Sequence, residues 1–357
     1  MSYDYVIVGA GIAGCTCANK LAERGTVLLV EKRNSIGGLC ADSFAGGYCQ
    51  LLGPHIFHTG NQAVYDYLNQ FGGFNDYMHK VRCKLADGRE VPLPISIATL
   101  EALHGKGYTV ESAKAYFDKV AVKIDNPSNA EEAVLCRFGE EIYHEIFKGY
   151  SEKQWGVSLS ELPAHVTMRI PLRLNRNECY FSDQNQGIPS NGFTKMMEMM
   201  IDHDNIKVAC GYDHVGLDGI HGKKATVWTG PINKYFHDRH GELNYRSLIF
   251  GAHMGLGRKQ KSGCLNHCSP SESATRSSEY CLFIDKANKL GHRRVGIETP
   301  SPHGTPCYPL ITDEENAKAD KYREEAKKVD TYFVGRLAEY KYINIDQVVA
   351  NALEITA

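Results

Sequence analysis

Two short apolar runs separated by a helical pattern open the chain. Tyr3-Asp4-Tyr5-Val6-Ile7-Val8 is apolar and β-branched, the texture of a strand buried on both faces of a parallel sheet. From Ile12 to Arg24 small and apolar residues recur at helical spacing, and Gly25 stops the helix. Thr26-Val27-Leu28-Leu29-Val30 then reads as a second buried strand ending at Glu31. Asn61 to Phe71 has helical spacing again, with Asn61 as its cap. Val81 to Ile97 alternates around Asp87-Gly88, which predicts a β-hairpin whose strand character ends at Pro92 and Pro94.

The texture changes from about Ile97 to Ser151. Apolar residues recur at helical intervals there, as at Ala113, Tyr116, Phe117 and Val120, and predict an inserted helical bundle. Asp213 to Gly222 is polar and glycine-punctuated, a turn or loop, and Ala225-Thr226-Val227-Trp228-Thr229-Gly230 is a strand running into a glycine. Tyr245–Phe250, Tyr280–Ile284 and Arg294–Glu298 read as strands of an antiparallel sheet, with His253–Gly263 a solvated loop. At the far end Thr331-Tyr332-Phe333-Val334 is a strand, Gly335 a turn and Asp346–Leu353 an amphipathic helix, a unit expected to rejoin the first domain.

Composition narrows the class. A chain of 357 residues is long enough for two or three domains. A formal net charge of −2 gives no electrostatic case for nucleic acid or an acidic membrane. No apolar run approaches the roughly 20 residues that span a bilayer, and no signal-like segment precedes the first strand, so a cytoplasmic protein is expected. The twelve cysteines are scattered and read as reduced, mostly buried thiols. Cys264, His267 and Cys268 form the one metal-like cluster, but they lack a second ligand pair, so no metal site is expected.

The chemistry starts at Gly9-Ala10-Gly11-Ile12-Ala13-Gly14. Gly9 permits the tight turn, Gly11 lets backbone approach a pyrophosphate, and Gly14 lets the helix pack on the sheet, while the helix N-terminus offers N–H groups to phosphate. Glu31 stands where a carboxylate accepts hydrogen bonds from ribose hydroxyls. A purely structural βαβ turn is the alternative, but strand, helix and acid agree on a dinucleotide. The pair Gly37-Gly38 after the acid favours FAD over NAD; Lys32 and Arg33 suit a 2′-phosphate, which Glu31 would repel. The expected fold is therefore α/β: a discontinuous Rossmann-like FAD-binding domain (1–77, 184–230, 320–357), a small helical-bundle insertion (98–165) and an antiparallel β-sheet domain (78–97, 166–183, 231–319).

Three further stretches are rich in aromatic rings and guanidinium groups: Phe147 to Gly156, Arg169-Ile170-Pro171-Leu172-Arg173 and Tyr180-Phe181-Ser182-Asp183. Rings stack on a base and arginine forks clamp phosphate, although helix packing and surface ion pairs explain the same composition. Within them Gly149-Tyr150-Ser151-Glu152-Lys153-Gln154-Trp155-Gly156, Arg169-Ile170-Pro171 and Tyr180-Phe181-Ser182-Asp183, together with Gly9-Ala10-Gly11-Ile12-Ala13-Gly14, Gly53-Pro54-His55-Ile56-Phe57-His58-Thr59, Gln186-Gly187-Ile188-Pro189, Gly230-Pro231-Ile232 with Tyr235-Phe236, Tyr245-Arg246-Ser247-Leu248 and Gly335-Arg336-Leu337-Ala338-Glu339-Tyr340-Lys341-Tyr342, resemble the UDP-galactopyranose mutase family over nearly the whole chain.

That resemblance implies ring contraction of a nucleotide-linked hexopyranose to the furanose, of the UDP-galactopyranose to UDP-galactofuranose type, in cell-surface polysaccharide biosynthesis. Reduced FAD, kept so by an external reductant, would act through N5 as nucleophile at the anomeric carbon with no net redox change. It also implies residue roles. Tyr150 stacks on the uracil and Trp155 lies by the sugar. Arg169 and Arg276 clamp the diphosphate, Tyr180, Tyr308 and Tyr342 bond its oxygens, and Asn266 and Asn344 contact substrate. His55 and Arg336 lie against the flavin. The remaining cofactor contacts would come from Gly9, Gly11, Ile12, Ala13, Gly14, Glu31, Lys32, Gly38, Leu39 and Ile56. A homodimer is implied by resemblance only.

The chain departs from the family pattern at several positions. Leu39 replaces Asn, Ser273-Ala274-Thr275 replaces Pro-Tyr-Thr, Ile343-Asn344 replaces Tyr-Asp, Pro54 replaces Ala, and Ser190-Asn191 replaces a glycine-containing pair. A tyrosine lost beside Arg276 and a charge lost at Asn344 alter the sugar's surroundings while keeping the arginines. Three readings stay open: the same mutase, with UDP-galactose or another sugar nucleotide as substrate; an amine-oxidase-type flavin oxidoreductase; or an inactive sugar-nucleotide binder.

Overall fold

The computed structural model describes residues 2–213, 221–257, 259–284 and 292–357. The chain divides into two compact units, one of Met1–Asp76, Asp183–Tyr245 and Pro306–Ala357, the other of Tyr77–Ser182 and Arg246–Thr305.

The first unit is a parallel sheet wrapped by helices. Strand β1 (Tyr5–Val8) lies at its centre, helix α1 (Ile12–Ala22) follows, and β2 (Val27–Glu31) returns beside β1 in parallel register, Tyr5 opposite Val27. The strand order is Ile206–Cys210, β2, β1, Ala225–Trp228, Thr331–Phe333. All four pairings are parallel, so the C-terminal strand does rejoin a sheet begun at residue 5. Ile7 and Leu29 are wholly buried, as strands covered on both faces require. α1 buries Ala13, Cys15, Ala18 and Ala22, small residues that let it press on the sheet and on the helices Gly192–Met200 and Ile345–Ile355. Helix α2 (Gln62–Asn69) starts at the expected cap, with the Asn61 side chain accepting from the Val64 N–H at 3.3 Å. The expected loop at Asp213–Gly222 falls mostly outside the described residues.

The second unit joins helices to a sheet. Helices α3 (Ile97–His104), α4 (Val110–Val120) and α5 (Ala130–Ile142) take the expected helical stretch and are capped by Ser96, Thr109 and Asn129. Gly139 breaks α5 at φ +76°, and a Cβ there would meet the Val120 carbonyl at 2.6 Å, so the position suits glycine alone. A π-helical turn, Tyr143–Lys148, then leads directly into α6 (Gly149–Trp155). The strands that this unit contributes to its sheet run Tyr245–Leu256, His292–Ser301, Arg276–Glu279, Cys264–His267, Val81–Lys84, Glu90–Leu93. Neighbours are antiparallel except Cys264–His267 with Val81–Lys84, which are parallel.

Three expectations are corrected. Tyr280–Leu282 is a 3-10 turn rather than a strand, and the strand precedes it at Arg276–Glu279. Tyr280 and Phe283 pack edge to face at 5.5 Å across that turn, and a short apolar run does not by itself separate strand from buried turn. His253–Leu256 is strand, not loop: it pairs with His292–Val295, and Gly255 makes room for Arg293, whose Nη2 would lie 2.7 Å from an added Cβ. Pro92 lies within Glu90–Leu93 instead of ending it, since that strand is the sheet's last and its free side needs no N–H donor.

Candidate functional site

In the first unit the glycine loop is closed by its own acid. The buried Glu31 accepts from the Ala10 N–H through Oε2 at 2.8 Å and from the Arg33 N–H through Oε1 at 2.9 Å. The carboxylate thus ties the loop after β1 to the turn after β2, with Lys32 exposed between. A Cβ at Gly14 would collide with the Gly9 carbonyl, and one at Gly38 would lie 2.8 Å from Gly11 Cα. The segments Gly9–Gly14 and Gly37–Gly38 therefore touch backbone to backbone, which only glycine permits. Gly11 is the N-cap of α1 and no side chain caps it; the first turn carries no acid. Ile12 and Ala13 are buried beneath the loop, and Leu39 is half-buried in the short turn Gly38–Cys40.

His55 is set by Gln50, a residue the sequence did not single out. Gln50 is buried, accepts from the His55 N–H at 2.6 Å and donates to its carbonyl at 2.8 Å. The ring Nδ1 lies 3.0 Å from the Gly53 carbonyl, an acceptor only, which places the proton on Nδ1. Ile56, beside it, is half-buried.

Residues from two distant motifs meet around Arg336. Its guanidinium lies 5.3 Å from the Tyr308 ring centre and 5.7 Å from that of Tyr342, and the rings are 5.7 Å apart. Nε and Nη2 donate to the Ile343 carbonyl at 3.2 and 2.9 Å, and Nη1 to the Cys307 carbonyl at 3.3 Å. Backbone acceptors and two aromatic faces thus hold one cation. Asn344 is exposed at the N-cap of the helix Ile345–Ile355, where its N–H donates to Gln347 Oε1 at 2.9 Å.

In the second unit β-register builds the cluster. Asn266 pairs with Arg276, and Arg276 with Glu298, on three neighbouring strands, so their side chains share one face. Arg276 donates through Nε to Asn266 Oδ1 at 3.1 Å, and Nη1 lies 3.7 Å from Glu298 Oε2. From α6, Tyr150 accepts from Arg276 Nη2 at 2.7 Å. Glu298 is 3 % exposed; burial pushes its carboxyl above the usual range and Arg276 opposes that shift. Glu298 Oε1 has no hydrogen-bond partner among the described residues. The sequence had placed Glu298 only as the end of a strand; an acid closing an apolar strand was the available signal.

The other expected residues of the second unit belong to α6 and to the segments between His165 and Asp183. Trp155 is buried at the end of α6. The Tyr180 N–H donates to the His79 carbonyl at 2.7 Å, and its ring packs edge-on against His79 and Phe181. Arg173 donates to the carbonyls of Cys179 and Tyr180, which makes it a brace for that segment. Arg169 is exposed just after the short helix His165–Met168. Both ring nitrogens of His267 are engaged, Nδ1 with Glu272 at 2.6 Å and Nε2 with Ser277 at 3.2 Å. Among the described residues no group of metal-ligating side chains forms and no helix is long and apolar enough to cross a membrane.

Comparison with known proteins matches a family model described as UDP-galactopyranose mutase to residues 145–342, and one described as an NAD(P)-binding Rossmann-like domain to residues 7–71. The chain is 32 % identical to a probable UDP-galactopyranose mutase of Klebsiella pneumoniae, over 98 % of this chain and 93 % of the relative. It is 29 % identical to the dTDP-fucopyranose mutase of Escherichia coli, over 98 % and 96 %. Among solved structures, a reduced UDP-galactopyranose mutase superposes with a TM-score of 0.79 at 16 % identity, covering 100 % of this chain and 93 % of the other, a likeness of fold.

Proposed function

The chain belongs to the UDP-galactopyranose mutase family, and we propose that it interconverts the pyranose and furanose forms of a nucleoside-diphosphate hexose with FAD bound in its first unit. The observation that carries this reading is Arg276, held by Tyr150 and Asn266 on the face that Glu298 completes. A guanidinium fixed on three sides meets a diphosphate without reorganising, which lowers the cost of the nucleotide's departure from the anomeric carbon and of its return.

The residues of the first unit fit a flavin dinucleotide. The glycine contact would leave no side chain between backbone and pyrophosphate, the uncapped N-terminus of α1 would supply N–H donors, and Glu31, which already accepts from two backbone N–H groups, would accept from a ribose hydroxyl through a remaining lone pair. When bound and reduced, FAD supplies a nucleophilic nitrogen at N5 for the anomeric carbon. Gly9, Gly11, Ile12, Ala13, Gly14, Glu31, Lys32, Gly38, Leu39 and Ile56 would hold the dinucleotide, with His55 and Arg336 against the flavin ring. Arg169 would reach a phosphate from its exposed position, and the phenols of Tyr180, Tyr308 and Tyr342 would donate to phosphate oxygens. Tyr150 and Trp155 would pack against base and sugar.

A second substrate within the same chemistry is supported by a specific observation. The dTDP-fucopyranose mutase is nearly as similar to this chain as the UDP-galactopyranose mutase. Ser273-Ala274 stands directly before Thr275-Arg276, where the resemblance leads one to expect a tyrosine, and the smaller side chains would leave more room beside the clamp. The test is a panel of UDP- and dTDP-pyranoses incubated with dithionite-reduced and with oxidised protein, resolved by HPLC. A furanose product with reduced protein only is expected. An amine oxidised at the expense of oxygen, with no isomer from any sugar nucleotide, would overturn the reading.

A further inference from the structure

Helix α6 and the loop 267–274 are joined by one ammonium. Lys153 Nζ donates to the carbonyls of His267 at 2.8 Å, Ser269 at 2.7 Å, Glu272 at 3.0 Å and Ala274 at 3.1 Å. An ammonium has three protons, so four acceptors share them, and the loop's backbone curls around the charge as it would around a bound cation. Burial pulls the Lys153 pKa down, with Glu272 and Cys268 opposing. The same helix face grips the segment elsewhere. A Cβ at Gly149 would collide with the Cys268 carbonyl, Thr275 Oγ1 donates to Gln154 Oε1 at 3.1 Å, and Arg276 donates to Tyr150. Arg246 fixes α6 in turn, donating to the carbonyls of Lys153 and Gln154.

We infer that Lys153 is a positioning residue for Arg276: its charge folds the 267–274 loop and thereby sets the guanidinium at the diphosphate. This rests on the reading of Arg276 as a diphosphate clamp. Without the ammonium, four carbonyl oxygens face one another uncompensated and the loop must open. Thr275 and Arg276 follow directly, so the guanidinium shifts with it, while the base platform on α6 stays.

A double-mutant cycle on nucleotide affinity tests this in the flavin-loaded protein, with UDP or dTDP as probe, whichever binds the wild type more tightly. Lys153→Met is expected to weaken binding about tenfold in the wild-type background and by no more than about twofold in Arg276→Ala. Lys153→Arg keeps the charge, but a planar fork does not converge on four carbonyls, and is expected to fall between; it serves as the arm if Lys153→Met does not accumulate as a flavoprotein. Equal losses in both backgrounds, or none in either, would overturn the inference. If Arg276→Ala alone leaves affinity unchanged, the clamp reading fails instead. If the cycle behaves as expected but no furanose forms, the positioning role stands and the mutase reading falls.

Discussion

Tyr150 accepts a 2.7 Å hydrogen bond from Nη2 of Arg276, although the two lie 126 residues apart on different kinds of element. One comes from α6 and the other from the strand Arg276–Glu279, so the proposed base platform and the proposed phosphate clamp are a single bonded unit.

Removing the phenol alone therefore separates packing from clamping. Tyr150→Phe keeps the ring and deletes a hydrogen bond to a charged partner, an interaction of about 1.5–3 kcal/mol. A fall in kcat/KM of about tenfold or more is expected from steady-state kinetics. Kinetics equal to wild type would show that Arg276 does not depend on this bond.

Glu298 makes stability depend on pH. Its carboxyl is raised above the 4.5 of an ordinary glutamate, chiefly by burial, against the pull of Arg276. A group raised in the folded state contributes stability that is full below its unfolded value and is lost as pH climbs through the folded value. Glu298→Gln has no such loss. The Tm of the variant relative to wild type should therefore rise as pH climbs above the ordinary glutamate value of 4.5, measured by thermal melts in parallel buffers. A difference that stays flat would contradict the assignment.

Asn344 is the N-cap of the helix Ile345–Ile355, at a position where the family resemblance leads one to expect an acid. Asn and Asp cap about equally well, whereas Ala loses about 1 kcal/mol. Denaturant melts should leave Asn344→Asp within a few tenths of a kcal/mol of wild type and put Asn344→Ala about 1 kcal/mol below. Any change in sugar preference in Asn344→Asp then reports on the substrate and not on the fold.

Gly14→Ala places a methyl group against the Gly9 carbonyl, inside the turn proposed to hold the pyrophosphate. The purified variant should carry less than about a tenth of the wild-type flavin absorbance, since overpacking a close backbone contact costs about 1–3 kcal/mol. Full flavin occupancy would place the cofactor elsewhere.

The first βαβ unit was legible because its signals are local: Gly9, Gly11, Gly14 and Glu31 lie within a few residues of the elements they serve. The cap at Asn61 and the hairpin around Asp87-Gly88 were legible for the same reason. The arginine cluster was only half legible. Asn266 and Arg276 were expected by resemblance, but Glu298 joins them through the register of three strands, which no local pattern encodes. Lys153 and Gln50 were passed over because their partners are backbone atoms of loops and a neighbouring histidine, invisible to periodicity. Tyr280–Leu282 misled for the opposite reason: its apolar run was real, but Tyr280 and Phe283 bury it as a turn.

The central claim is that Arg276 clamps the diphosphate of a sugar nucleotide and that its isomerisation requires reduced flavin. Arg276→Ala should keep its yellow flavin and lose furanose formation by about a thousandfold or more, measured by HPLC on dithionite-reduced protein with the preferred sugar nucleotide. Wild-type turnover by that variant, or furanose formed equally well by oxidised wild-type protein, would contradict the account.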